Sequence, residues 1–361
     1  MCLPSGMEAL SLFDAQLAPQ IDLVPSVELT QASARPMASM APMGSMAPMA
    51  QMAAPMPVGP ALLAVDGNSL VHRAYHAYGE TGAVYGFLAL LAAICDLSGP
   101  DAVVVGFDCR DGNDRKRRCA YYKANRAEKD SGLVTALAEV PEVLTELGVH
   151  VVCVPGQEAD DVLGSAAATA EADAWRCVLA TSDRDAFGLI SDRTSVLRLR
   201  NGLANARVVT GAALQADLGV RPQQYVEFAA LRGDTSDNLP GVAGIGPSRA
   251  AALFAAFVRV DDAAADPIGC TSVLGLGPGR ALLADLADPS TSVFRRNVDL
   301  MTIRRDLPLD IDDCALGGSL ESLTAVLQRR RLPGLVSRLA VAFGARPADD
   351  DQVPLPQAPP L

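Results

Sequence analysis

At 361 residues, half of them apolar, the chain is long enough for one large or two modest domains with a substantial core. Its net charge of −12 argues at first against a nucleic-acid partner, but the distribution of Lys and Arg matters more than the sum. Eight cysteines with no CxxC pair and only three histidines give no zinc pattern; reduced thiols are expected, and metal chemistry must rest on oxygen ligands.

Residues 1–60 include RPMASMAPMGSMAPMAQMAAPMPVGP, which has neither helical nor strand period. A disordered leader is expected, with Met56 a candidate start. No basic residue precedes Arg35 and there is no compact apolar h-region, which argues against a secretory signal. From Ala61 the pattern changes. ALLAVDG, DAVVVGFD, HVVCVPG and CVLATSD read as buried parallel strands, with Ala/Leu-rich crossover helices between them. The apolar run Ala83 to Cys95 falls short of the about 20 residues that cross a bilayer, so no membrane span is expected, and with reduced thiols and no secretory signal the expected location is cytoplasmic.

Between the second and third strands, RDGNDRKRRCAYYKANRAEK (110–129) carries eight basic residues against three acidic ones, including every lysine in the chain: Lys116, Lys123 and Lys129. A solvated face is the ordinary reading of such a run; the Tyr121–Tyr122 pair inside it suits nucleic acid better. After residue 210 the strands stop. AALQADLG, PQQYVEFAALRG, PSRAAALFAAF, GRALLADLAD and LESLTAVLQRRRLPGLVSRLAVAFG are helical segments, and the last residues read as a disordered tail. The expected organisation is an α/β core over 61–210, a helical subdomain over 211–345 and a tail over 346–361.

Open parallel sheets bind ligands beyond the carboxyl ends of their strands. Three of the four runs end there in aspartate: Asp66, Asp108, and Asp183 with Asp185. A single such Asp is commonly a turn former or helix cap. The fourth run leads into GQEADD, which brings Glu158, Asp160 and Asp161 to the same edge, and GDTSDN adds Asp234 and Asp237. Nine converging anions repel unless some are protonated or cations sit among them, and hard divalent ions suit oxygen ligands. Two such ions about 4 Å apart hold the attacking water and leaving oxygen of phosphodiester hydrolysis in line.

In order along the chain, LLAVDGNSLVHRAYHA, VYGF, VVVGFD, YYKANR, VPGQEADDVL, LATSDRDAFGLISD, RPQQYVEFAALRGDTSDNLPGVAGIGPSRAAAL and RRDLPLDID span about residues 61–312. In these stretches the chain resembles the 5′-nuclease domain at the front of bacterial DNA polymerase I, related to phage 5′-exonucleases and flap endonucleases. The likeness continues weakly to about residue 344, and with no polymerase part following, a freestanding nuclease is expected. The resemblance implies a parallel-sheet, PIN-like, resolvase-like core with a helical arch at about 110–130. It also implies a C-terminal helical subdomain whose helix-three-turn-helix, a helix-hairpin-helix element, lies at about 232–257.

All nine acids match the family's acidic positions. The resemblance implies Asp66, Asp108, Glu158, Asp160 and Asp161 around one Mg2+ ion and Asp183, Asp185, Asp234 and Asp237 around a second; Mn2+ substitutes, and the hairpin admits K+. Lys123 and Arg126 occupy the Y-K-x-x-R positions, which meet the phosphates at the scissile bond, and Arg115 and Lys116 belong to the arch that a single-stranded 5′ end threads. The family's Ser and Phe before Arg115 are absent. Arg73 and Tyr75 match the Arg and aromatic that follow the first strand; Tyr75 either stacks on the terminal base or fills core beneath the site. In the hairpin, N–H groups of Gly241, Gly244 and Gly246 meet a duplex phosphate. Ser248 stands where the family has Lys, and Arg249 beside it shifts that contact by one residue.

The implied activity is structure-specific 5′-3′ exonuclease or flap-endonuclease cleavage of DNA in replication and repair. DNA with a 5′ flap or end next to duplex is the partner, an RNA primer strand a further substrate, and a monomer the expected state. VLGLGPGRALLA (273–284) echoes VAGIGPSRAAAL (242–253) and is either a second phosphate-binding hairpin or a Gly-Pro helix start. Two rival functions remain: a module that holds branched DNA without cutting it, disfavoured by the full acid set, and a PIN-type ribonuclease, which lacks both the arch and GDTSDNLPGVAGIG.

Overall fold

The computed structural model describes residues 59–109, 112–199 and 205–347; apart from their innermost two residues each, the expected leader and tail lie outside the described residues. The chain alternates strand and helix from the start: β1 (Ala61–Asp66), α1 (Gly67–Tyr78), α2 (Ala83–Ser98), β2 (Ala102–Gly106), α3 (Asp114–Arg118), α4 (Ser131–Glu146), β3 (His150–Val152), α5 (Ala159–Ala172) and β4 (Arg176–Thr181). The four predicted strands are thus present. Two more complete the sheet, β5 (Thr194–Arg198) and β6 (Arg207–Val209), in the order β3-β2-β1-β4-β5-β6. All neighbours are parallel except β5 and β6. The order reverses between β1 and β4, where an open α/β sheet leaves a crevice.

Strand side chains alternate across the sheet, and so does the core. Leu62, Ala64, Val104 and Leu179 face one hydrophobic cluster with α5; Leu63, Val65, Val103, Val105 and Ala180 face another with α1, α2 and α4. Glu80–Ser98, which contains α2, is nineteen residues long and apolar enough to cross a bilayer by length and composition, so the sequence estimate of its length was too short. Here Phe87, Leu88, Leu91 and Ile94 are fully buried against the sheet, which makes it a core helix.

A helical part follows: α6 (Gly211–Leu218), α7 (Tyr225–Arg232), α8 (Pro247–Ala256), α9 (Val260–Ala265), α10 (Pro267–Leu274), α11 (Leu276–Ala287), α12 (Val293–Met301), α13 (Leu320–Arg329) and α14 (Val336–Phe343). Between α7 and α8, Gly233–Asp234 pairs antiparallel with Leu239–Pro240. The ladder requires glycine at its ends: at Gly233, with φ +78, a Cβ would lie 2.3 Å from Gly241 N. The apolar side chains of α7, α8, α10 and α11 join the α5 side of the sheet into one core. The final stretch departs from the expected boundary. Leu323, Val326, Leu327, Leu335, Leu339 and Phe343 pack into the α2 cluster, so α13 and α14 complete the sheet core instead of extending the helical subdomain.

Glu146 at the end of α4 ties α13 back, accepting from Arg330 Nη2 (2.5 Å) and Arg329 Nη2 (2.8 Å). Those bonds hold its carboxyl down to about 2, from an ordinary 4.5. The depressed value means that the stabilisation is present above pH 4.5 and fades as pH falls towards 2. Glu146→Gln is expected to melt below wild type at pH 7, with the gap closing by about pH 2–3 in calorimetric scans.

Candidate active site

The crevice beyond β1 and β4 is a cleft of about 1740 Å3. Of the nine candidate acids, Asp66, Asp108, Asp160, Asp183 and Asp234 line it, along with His72, Arg73, Lys123, Arg126 and Gly241. Local structure fixes each of them. Asp66 ends β1 and caps α1, its Oδ1 accepting from Ser69 N (2.9 Å) and its Oδ2 from the Thr181 hydroxyl (2.8 Å). Asp108 follows β2 and accepts from Ala159 N at the start of α5 (2.9 Å) and from Asn68 Nδ2 (2.9 Å). That close approach depends on Gly106, where a Cβ would lie 2.8 Å from Val162 Cβ. Asp183 Oδ1 accepts from Asp185 N (3.0 Å), and Asp234 from Ser236 N (2.8 Å) with Arg232 at 3.5 Å.

Asp185 and Asp237 are set back from the cleft wall, in reach of Asp183 electrostatically. Burial pushes the Asp66 carboxyl up to about 6, and Asp108 and Asp183 add repulsion. Burial raises Asp160 well above its ordinary value, as do Asp183 and Asp66; burial raises Asp185 likewise, with Asp183, Asp237 and Asp234 adding to it. Asp160 Oδ1 is buried without a hydrogen-bond partner. As the side chains stand, no three of these carboxylates form one ligand set among the described residues. The edge is a region of concentrated, incompletely compensated negative charge.

Two of the nine acids are otherwise engaged. Asp161 is fully buried and takes a two-point contact from Arg115, Nη1 to Oδ2 and Nη2 to Oδ1, both 2.7 Å, together with Arg304 N (2.9 Å) and Glu158 N (3.1 Å). Every lone-pair direction it offers is used inside the protein, so the structure gives Asp161 a packing role in place of the implied ligand role. Glu158 is surrounded by donors: Arg115 Nη1 (3.2 Å), Tyr122 Oη (3.0 Å), Asn113 Nδ2 (2.8 Å) and Lys123 Nζ (2.8 Å). Although burial pushes the Glu158 carboxyl up, Lys123 and Arg115 bring it below its ordinary value.

Arg115 is corrected in turn. It is only 5% exposed, and besides the two acids it donates to Leu300 O (2.8 Å) and Thr302 O (3.0 Å). A side chain so enclosed cannot grip a threading strand; the family resemblance placed Arg115 in the arch with the basic stretch, of which Lys116, Arg117 and Arg118 are exposed and Arg115 is not. The arch itself contains one short helix, α3, followed by turns up to Arg126. Of the tyrosine pair, Tyr122 is buried on Glu158, whereas Tyr121 remains 39% exposed with the Arg296 guanidinium 5.2 Å from its ring.

The turn after α3 is clasped to the loop that carries Asp234 and Asp237. Lys123 N donates to Asp237 O (2.9 Å), Asn125 Nδ2 to Thr235 O (2.9 Å) and Asn238 Nδ2 to Tyr121 O (2.8 Å). Lys123 and Asn238 both take left-handed backbone angles, φ 54 and 58, at a cost of about 1 kcal/mol or more each that the clasp offsets. Lys123 Nζ points to Glu158 and, at 3.8 Å, to Asp237; Arg126 Nη2 meets Asp237 Oδ1 at 2.7 Å. These two cations stand at the cleft within the acidic field.

Arg73 Nη2 donates to Ser182 Oγ (3.0 Å) and Leu199 O (2.9 Å). Tyr75 is half-buried, packs against the α2 cluster and donates its hydroxyl to Asp130 (2.5 Å), so it is partly core and partly presented at the surface. Gly241 lies in the cleft wall; Gly244, Gly246, Ser248 and Arg249 are exposed around the start of α8, with Arg249 Nη1 on Gly244 O (2.9 Å). The echo at 273–284 is built differently. Only Gly275 separates α10 from α11; Gly277 and Gly279 are within α11, and a Cβ on Gly279 would lie 2.7 Å from Thr271 Cα, so that glycine serves helix packing. Pro278 nevertheless touches the first hairpin, 3.2 Å from where a Gly244 Cβ would stand.

Sequence reasoning missed Asn68, Asn113 and Thr181, which hydrogen-bond Asp108, Glu158 and Asp66. Asn68 and Thr181 each stand two residues from a strand-end Asp, which is a usable signal; Asn113, distant from Glu158 in sequence, gives none.

The family model described as "5'-3' exonuclease, N-terminal resolvase-like domain" matches residues 61–219, and that described as "5'-3' exonuclease, C-terminal SAM fold" matches residues 220–321. DNA polymerase I of Mycobacterium tuberculosis is 36% identical over 260 residues, 69% of this chain and 28% of the relative. The thermostable DNA polymerase I of Thermus filiformis is 35% identical over 308 residues, 82% of this chain and 35% of the relative. The chain therefore spans about a third of the length of these curated relatives. Among solved structures, the T5 D15 protein co-crystallised with metal ions superposes with a TM-score of 0.56 at 19% identity, covering 78% of this chain and 99% of that one. Human GEN1 in complex with Holliday junction DNA gives 0.51 at 16% identity, covering 78% of this chain and 71% of that one. These two likenesses establish a shared fold.

Removing Arg115 would leave Asp161 buried and unpaired, so Arg115→Ala is expected to lower unfolding stability by about 3–5 kcal/mol in urea titrations. A loss below about 1 kcal/mol would show that the pair does not hold this junction together.

Proposed function

The chain belongs to the 5′-3′ exonuclease family, and on that premise we propose that it is a divalent-metal-dependent, structure-specific 5′ nuclease. It would hydrolyse phosphodiester bonds at 5′ ends or flaps beside duplex DNA in replication and repair. The observation that carries the reading is the convergence of carboxylates from β1, β2, β4 and the 234–237 loop on one cleft, with Lys123 and Arg126 beside them.

The donor set fits hard cations. Asp160 Oδ1 is a buried oxygen with no partner, and the acids lining the cleft offer only oxygen donors. Asp66, Asp108 and Asp160 would hold one ion; Asp183, Asp185, Asp234 and Asp237 a second; and Glu158 would contribute only as far as Lys123 releases it. We assign Mg2+ to both positions, with Mn2+ as a substitute, and K+ to the hairpin before α8. Bound ions would supply charge stabilisation and an acidified water.

The protein's own groups do the positioning. Lys123 and Arg126 would exchange their present carboxylate partners for the phosphate at the cleavage point, which keeps their charge where negative charge develops. Arg73 lines the cleft from α1, and it and Tyr75 on the same helix would meet a 5′-terminal nucleotide. Gly241, Gly244, Gly246, Ser248 and Arg249 would hold a duplex phosphate at the start of α8, with Lys116 an outlying contact. An RNA primer strand is a second substrate, and the monomer is the proposed working state.

A labelled 5′-flap duplex tests this. With Mg2+ the protein is expected to cut near the junction, Asp183→Ala to lose at least about a hundredfold in rate and Lys123→Ala about ten- to a hundredfold, and EDTA to abolish cutting. Binding without cutting in either Mg2+ or Mn2+ would make it a branched-DNA-binding module. In salt titrations of affinity, each lost phosphate contact, as in Arg249→Ala, is expected to flatten the log–log slope by about 0.9.

A further inference from the structure

We propose that Thr181, the last residue of β4, is a positioning residue for the hydrolytic site: its buried hydroxyl sets the Asp66 carboxylate and the Asp183–Asp185 turn in fixed relation. The inference rests on the nuclease reading above and concerns a residue outside the acidic set.

Thr181 has no exposed surface. In the sheet β1 and β4 run side by side with Val65 opposite Ala180, which brings Asp66 and Thr181 to the same edge. The hydroxyl donates its only proton to Asp66 Oδ2 (2.8 Å), leaving its lone pairs to accept from Asp183 N (3.0 Å). Because Ser69 N occupies Asp66 Oδ1, both oxygens of that carboxylate are oriented, one by α1 and one by β4. The order continues along the turn, where Asp183 Oδ1 accepts from Asp185 N (3.0 Å). The backbone of Thr181 is itself held, its carbonyl accepting from Leu199 N (3.1 Å). One hydroxyl therefore joins the Asp66 carboxylate at the end of β1 to the backbone of the turn after β4 that carries Asp183 and Asp185, and it approaches Asp66 from the sheet side.

Valine has the shape of threonine and lacks the hydroxyl; its introduction leaves Asp183 N and one oxygen of Asp66 without their partner. Serine keeps the hydroxyl and drops a methyl group. The full chain as wild type, Thr181→Val and Thr181→Ser is compared in Mn2+ binding without DNA, followed by electron paramagnetic resonance, in kcat and KM on the 5′ flap, and in thermal melting.

Thr181→Val is expected to bind Mn2+ about tenfold more weakly and to lose about tenfold or more in kcat, with KM for the flap within about twofold. Thr181→Ser is expected to stay within about threefold of wild type in both. If Thr181→Val fails to fold, Thr181→Ala carries the same expectation. The proposal is overturned if the hydroxyl-free variant matches wild type in Mn2+ binding and kcat, or if Thr181→Ser falls as far as Thr181→Val, since the methyl packing would then be responsible. Wild type that neither binds Mn2+ nor cuts would overturn the nuclease reading and this role together, whereas an active wild type with an equally active Thr181→Val would remove only the role of Thr181.

Discussion

The arrangement depends on one buried ion pair. Arg115 enters the protein from α3 and meets Asp161 at two points, while its remaining donors reach Glu158, Leu300 O and Thr302 O. Three segments far apart in sequence are joined there: the basic stretch after β2, the start of α5 and the end of α12. A pair removed from water gains little net stability over apolar packing, yet it is intolerant of losing either member. Its contribution is therefore geometric. It fixes the distance between the stretch that bears Lys123 and Arg126 and the helix that bears Asp160.

Around that fixed point the cleft works against folding. Asp66, Asp160 and Asp185 sit where burial and their neighbours favour the protonated form, and Asp160 keeps an oxygen without a partner. Such a concentration of like charge persists on a buried sheet, β1 being apolar from Ala61 to Val65 and β4 from Cys177 to Ala180. Lys123 and Arg126 offset part of the repulsion, and the left-handed backbone at Lys123 shows the local cost of holding a cation at that place. Stability and site are thus opposed in the same few residues.

Much of this was legible in sequence. The Val- and Leu-rich runs that form β1, β2 and β4 lead into carboxylates because those ends face the crevice, and a continuous apolar run reports that position directly. The run TSVLR of β5 mixes polar and apolar residues and sits beside short β6, so it gave no comparable signal. Charge was harder to read than hydrophobicity. Nothing in RDGNDRKRRC distinguishes Arg115 from Lys116, because burial is set by Leu300, Thr302 and Asp161, all remote in sequence. For the same reason three adjacent acids at the start of α5 separate into one that lines the cleft, one shared among four donors and one fully enclosed.

The outer strands have a consequence for the protein's behaviour in solution. A parallel sheet this apolar is prone to templating addition of a foreign strand wherever a long edge is open. Here β3 and β6, the two edges, are three residues each. Each presents only a few unpaired peptide groups, too few to seed extended cross-strand growth. The brevity of these margins leaves a sheet with such a continuous interior little free backbone on which another chain could pair.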